Sequence, residues 1–142
     1  MIRVVLDTNI IVSAVLQPLG PPAQVFLLAS AGVIQMCVSE EAYAEYEEVI
    51  QRPRLKRDAE EIEGALRTIR EKARWVKSTG KVKACSDPDD DIFVDCAQAA
   101  EAHYLVTGNQ VDFPETWGNT RIVTPRQFLE VIAEIESIQP PA

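Results

Sequence analysis

The sequence predicts an α/β protein, a three-layer α/β/α sandwich around a parallel sheet of four to five strands. Three observations lead there. Apolar runs such as Ile2 to Leu6 and Val33 to Val38 do not alternate with polar residues, the pattern of strands covered on both faces. Those runs alternate with segments whose apolar residues recur at helical spacing, and alternating strands and helices build a parallel sheet through right-handed crossovers. The chain has 142 residues, 46% hydrophobic and 25% charged, which suits one globular domain over residues 1–138 with a short tail at 139–142.

The first strand runs from Ile2 and ends at Asp7. Thr8 and Asn9 are helix-capping types, so a helix is expected from Ile10 to about Leu16, interrupted by Pro18, Gly20 and the Pro21-Pro22 pair. A second helix follows from Ala23 to Ala31 and stops at Gly32. After the strand to Val38, Ser39 is a natural cap for a helix from Glu40 to Gln51, which Pro53 closes. Between Asp58 and Val76, the positions Ile62, Ala65, Leu66, Ile69, Ala73 and Val76 share one helical face. Gly80 breaks that helix, Val82 to Cys85 reads as a short strand, and Asp87-Pro88 opens a helix to about Glu101. Strands at Tyr104 to Thr107 and Arg121 to Thr124 and a helix from Pro125 to Ile135 complete the pattern.

No stretch approaches the ~18 apolar residues of a membrane span, and the N-terminus lacks the layout of a signal peptide; the expectation is a cytoplasmic protein without a membrane partner. Cys37, Cys85 and Cys96 have neither disulfide-framework nor zinc spacing and are expected to be reduced, mostly buried thiols. His103 is the only histidine, so a Ser-His-Asp triad or a histidine metal site has almost nothing to be built from. Chemistry must come from carboxylates and hydroxyls.

In open parallel sheets, ligands bind beyond the carboxyl ends of the strands. Asp7 ends the first strand, Glu40 to Glu48 follow the second, Asp87 to Asp95 open the helix before the next major strand, and Asn109 and Asp112 follow it. Crowded carboxylates repel one another unless a cation fills the gap, and oxygen ligands select hard ions such as Mg²⁺ or Mn²⁺. Each acid also has a plainer reading: Asp7 as a helix cap, Asp87, Asp89, Asp90 and Asp91 as complements to a helix dipole. Four acids in five positions exceed what capping needs. Asp91 and Asp95 form a like-charge pair one turn apart. On the helix from Glu40, both Glu45 and Glu47 flank the buried stripe, and spacing does not choose between them.

The segments VVLDTNIIVSAV, SEEAYAEYEEVIQRP, DPDDDIFVDCAQAAEAHYLVTGN, VDFP and IVTPRQFL resemble the PIN domain, and within it the VapC-like toxins of toxin–antitoxin systems. The resemblance runs in order from residue 2 to about 130 and implies a PIN-like fold. By position it puts the family's acids on Asp7, on Glu45, on Asp91 with Asp90 as the neighbouring alternative, and on Asp112, because Asn109 stands where many members have the fourth acid. Thr8, Asn9, Ser13 and Thr107 match supporting polar positions; Asp95 and Asn109 are grouped with them as residues that orient the carboxylates.

The resemblance implies a Mg²⁺- or Mn²⁺-dependent endoribonuclease, with an RNA substrate, a cognate antitoxin and a homodimer as partners. The alternative within the family is a catalytically silent module that binds RNA or protein through the same cleft. A response-regulator receiver needs an acidic pair after the first strand and a Lys after the last, and a haloacid-dehalogenase-type phosphatase needs D-x-D. Asp7-Thr8-Asn9 and Thr124-Pro125 satisfy neither.

A net charge of −8 should repel nucleic acid at long range, yet it averages two unlike regions. Residues 52 to 83 carry eleven of the fourteen basic residues and a local charge of +6. They read either as a solvated helix face with intrahelical pairs or as a guide for the RNA backbone, through Arg52, Arg54, Lys56, Arg57, Arg67, Arg70 and Arg74.

Overall fold

The structure, a computed structural model, describes residues 1–53 and 58–138. Its strands are β1 (Arg3–Leu6), β2 (Gln35–Val38), β3 (Arg74–Trp75), β4 (Tyr104–Val106), β5 (Thr116–Trp117) and β6 (Thr120–Val123). Its helices are α1 (Thr8–Leu16), α2 (Pro21–Ser30), α3 (Glu40–Ile50), α4 (Ala59–Lys72), α5 (Pro88–Ala100) and α6 (Pro125–Ile138). The sheet order is β3-β2-β1-β4-β6-β5. All pairings are parallel except the β5–β6 hairpin.

Val4, Val5 and Leu6 in β1 are all fully buried, as an unalternating strand at the centre of a layered fold requires. The chain moves outward from β1 through β2 to β3, then returns through α5 to β4 on the other side of β1. With right-handed crossovers this reversal puts α5 on the face opposite α1, α2 and α4. Accordingly, α5 packs on β1, β2 and β4, while α2 packs on α1, α4 and α6.

The caps expected at Ser39 and Asp87 form: Ser39 Oγ accepts from the Ala42 amide (3.1 Å) and Asp87 from Asp89 (2.9 Å). Thr8 and Asn9 do not cap, because α1 takes them in and Asp7 stands at its N-cap position; Asp58 caps α4, accepting from Glu60 (2.8 Å). At α6, Thr124 Oγ1 accepts from the Gln127 amide (3.2 Å) while Gln127 Oε1 accepts from Thr124 N–H (3.0 Å), a reciprocal box. Helices α1 and α2 begin earlier than expected, at Thr8 and at Pro21, which takes the first helical position where its missing N–H costs nothing.

The sequence reading is corrected in three places. The helix expected to reach Val76 ends at Lys72, because Ala73 turns extended and Arg74-Trp75 pair with Cys37-Val38. Val82 to Cys85 forms no strand; the Ala84 and Cys85 amides donate to the Asp91 carboxylate rather than to a neighbouring strand. The hairpin partner β5 was not expected, and it makes the sheet six-stranded. Gly118, in the turn between β5 and β6, has a φ of +57°, a conformation that favours glycine.

Cys37 and Cys96 are buried, Cys85 is half-buried, and all three are free thiols. Among the described residues no single helix is long and apolar enough to cross a membrane.

Candidate active site

Beyond the carboxyl ends of β1 and β4 lies a pocket of about 220 Å³ whose walls include Asp7, Glu45, Asp87, Asp89 and Asp90. Asp7 is 4% exposed. Its N–H still follows the ladder, donating to Val106 O (3.0 Å), and its Oδ2 accepts from Thr107 Oγ1 (2.8 Å). Thr107 Oγ1 in turn accepts from the Asn109 amide (3.0 Å). Asp7 does occupy the N-cap position of α1, but its side chain makes no capping hydrogen bond there.

Burial is the main force that raises the Asp7 pKa, and the Asp112 charge adds to it. The Thr107 hydroxyl and the nearby Thr8 and Asn9 amides oppose it. Asp90 is pushed up to about 6 by burial first, then by Asp7, Asp87, Asp112 and Asp89. Glu45 is raised by burial, then by Asp89 and Glu48, with Arg52 pulling the other way.

Glu45 reaches the pocket because its neighbour is an anchor. Tyr46 is fully buried, its hydroxyl donates to the Leu6 carbonyl, and its ring stacks on Phe93 at 5.9 Å. One buried side chain thus ties α3 to the end of β1 and to α5, and Glu45, the preceding residue, shares the pocket wall with Asp7. Glu47 is exposed and does not line the pocket. In the sequence nothing sets Tyr46 apart from the other apolar residues of this helix, so the anchor is visible only in the fold.

Asp91 and Asp95 are engaged elsewhere. Asp90, not Asp91, shares the pocket with Asp7; Asp91 Oδ1 accepts from the amides of Ala84 (2.8 Å) and Cys85 (2.7 Å). Asp95, 4% exposed, does not orient the pocket acids. It accepts from Thr79 N–H (3.0 Å), Thr79 Oγ1 (3.1 Å) and Gly80 N–H (2.7 Å). The i,i+4 pair is therefore stabilised by amide donors and needs no bridging cation. Burial and the adjacent Asp91 charge push the Cys85 thiol up to about 12, so it is no nucleophile at neutral pH.

Asp112 ends a 3₁₀ turn (Gln110–Asp112) after β4; it lies outside the pocket wall, and its charge reaches both Asp7 and Asp90. Thr8 and Asn9 line the pocket, whereas Ser13 and Asn109 do not. Of the basic residues, Arg52 lines the pocket and Arg67, Arg70 and Arg74 do not; Arg54, Lys56 and Arg57 lie outside the described residues. Arg70 is held by Tyr43 Oη (2.6 Å) and Glu63 (2.5 Å). The end of α4 is tied to the opposite edge of the sheet, where Gln35 Nε2 donates to Lys72 O (3.0 Å). His103 is remote from the acids, its Nδ1 accepting from Arg3 N–H (3.0 Å).

Among the described residues, no three acids, cysteines or histidines stand close enough to hold one ion as they are. In donor chemistry the pocket suits a hard divalent cation: its ligating groups are oxygens, and like charges spread until a cation draws them together. The buried Thr8 Oγ1 has no hydrogen-bond partner, so the pocket also holds a polar atom that a ligand or water can satisfy.

A profile of the PIN domain matches residues 3–111, a span that contains every acid of the pocket. No curated protein matches the chain. PIN domains are generally metal-dependent nucleases, which supports placing the protein among hydrolases. Family profile, sheet order and acid pocket agree: the chain belongs to the PIN domain family.

Proposed function

We propose that the protein is an endoribonuclease dependent on Mg²⁺ or Mn²⁺, and the toxin of a toxin–antitoxin pair. The observation that carries the nuclease reading is the buried Asp7 carboxylate, pinned by Thr107 and facing Asp90 and Glu45 across one pocket. The toxin reading, the antitoxin and the homodimer rest on the sequence resemblance.

Asp7, Glu45 and Asp90 would hold the ion, with Asp112 completing the set. When bound, it supplies an activated water and offsets charge on the scissile phosphate. The Thr107 hydroxyl occupies one Asp7 oxygen and fixes the other's direction, so the carboxylate is oriented before anything binds. Asp90, although raised to about 6, is largely ionised at neutral pH, and positive charge in the pocket would favour the ionised form further. No protein nucleophile is required, and the expected products carry a 5′-phosphate and a 3′-hydroxyl.

The test is cleavage of a mixed RNA pool with Mg²⁺ or Mn²⁺, followed by mapping of the cut ends. Asp7→Asn should abolish cleavage and leave the circular dichroism spectrum unchanged; full activity in the folded variant would sink the assignment. The wide spacing of the acids favours a second reading, a silent module that binds RNA or protein. Calorimetric titration with Mn²⁺ separates the two: heat in wild type and none in Asp90→Ala supports the nuclease, and silence in both supports the module.

A further inference from the structure

We infer that Arg52 is the phosphate anchor of this site, receiving an RNA phosphate at the rim of the acid pocket, with Glu48 as the residue that positions it. The inference rests on the nuclease reading and names a substrate-binding group for it.

Arg52 is the only cation among the described residues that line the pocket. It follows α3 directly, its N–H donating to Val49 O (3.2 Å), so the helix that carries Glu45 also fixes the guanidinium's starting point. Its Nη2 lies 2.8 Å from Glu48 Oε2 and its Nε 3.3 Å from Glu48 Oε1. Two contacts on one edge of a planar fork set its orientation and leave Nη1 outside the pair. The side chain is 41% exposed, so a ligand can reach it.

The charge pattern explains what an arginine does there. A phosphodiester approaching the pocket meets repulsion from Asp7, Glu45, Asp87, Asp89 and Asp90, and among the described lining residues Arg52 alone offers it a positive charge. A guanidinium offers paired N–H donors that match phosphate oxygens, which a point charge does not. An exposed arginine–glutamate pair adds little to stability by itself. Its position on the pocket wall is therefore better accounted for by recognition than by folding.

The test is binding of a fluorescein-labelled single-stranded RNA, read by anisotropy in EDTA over a range of KCl concentrations, for wild type, Arg52→Ala, Arg52→Lys and Glu48→Ala. Working without divalent ions separates the phosphate contact from any effect of Arg52 on Glu45 and on metal affinity. Arg52→Ala should weaken binding about tenfold or more, the scale of a lost charge-assisted hydrogen bond. It should also flatten the slope of log K against log salt by about 0.7, one phosphate contact's worth on a single strand. Arg52→Lys should keep the slope and lose part of the affinity. Glu48→Ala should weaken binding although it removes a negative charge; a gain in affinity would show that Glu48 only repels RNA and would overturn its positioning role. Arg52→Ala with wild-type affinity and slope, melting normally, would overturn the anchor while leaving the nuclease intact. Wild-type protein that neither binds nor cuts RNA would instead overturn the nuclease reading itself.

Discussion

Asp90 shows what a single residue can hold in conflict. Its pKa is raised from 3.8 to about 6 by burial and by four other carboxylates. Between those values the folded protein binds more protons than the unfolded chain, so stability falls as pH rises through that window. Asp90→Asn should therefore raise the melting temperature at neutral pH in EDTA, and the gain should vanish below pH 3.8; melts across that range are the check. The same substitution should abolish cleavage, since function is supported here by an arrangement that costs stability. Choosing between Asp90 and Asp91 was beyond the sequence, because adjacent helical residues differ only by ~100° in direction. What puts Asp90 rather than Asp91 on the pocket wall is tertiary: the strap before α5 offers its amides to Asp91.

At the scale of elements, α5 does two jobs with its acids. Its first turn presents Asp89 and Asp90 to the pocket, while Asp91 and Asp95 hold the irregular strap between β3 and α5. Asp95→Ala leaves the Thr79 and Gly80 amides without their acceptor and should cost about 3 kcal/mol in urea unfolding, with faster amide exchange at both positions. Asp91→Ala should cost less, about 1–2 kcal/mol, and should lower cleavage far less than Asp90→Ala does. The elements themselves were mostly legible. Long periodic helices and the continuous apolar strands declare themselves locally, as do the caps at Ser39 and Asp87, though not the start of α1 at Thr8. Strands β3 and β5 did not, because two residues carry no period and exist only through partners at Cys37-Val38 and Thr120-Arg121. The wall positions of Asp7 and Glu45 were legible as strand-end and helix-flank acids; the choice of Glu45 over Glu47 waits on the Tyr46 hydroxyl.

For the whole molecule, the net charge of −8 conceals a division of labour. The acids of the pocket gather at the carboxyl edge of the sheet, and α4, whose last turn carries Arg70 and Lys72, ends at the other edge. A divalent ion that binds the folded protein alone should stabilise it by linkage, by about 2.7 kcal/mol at a hundredfold excess over Kd. The melting temperature should then climb with added Mn²⁺ in wild type and stay level in Asp90→Ala, as scanning calorimetry can test. The Tyr46 bond to the Leu6 carbonyl carries a final consequence for dynamics. It fastens the acid-bearing helix to the central strand, so the carboxylates cannot escape each other by the fraying of a surface loop. The Asp7 amide, bonded to Val106, should exchange with solvent only through global unfolding, and a bound ion should slow that exchange by the same factor by which it stabilises the fold.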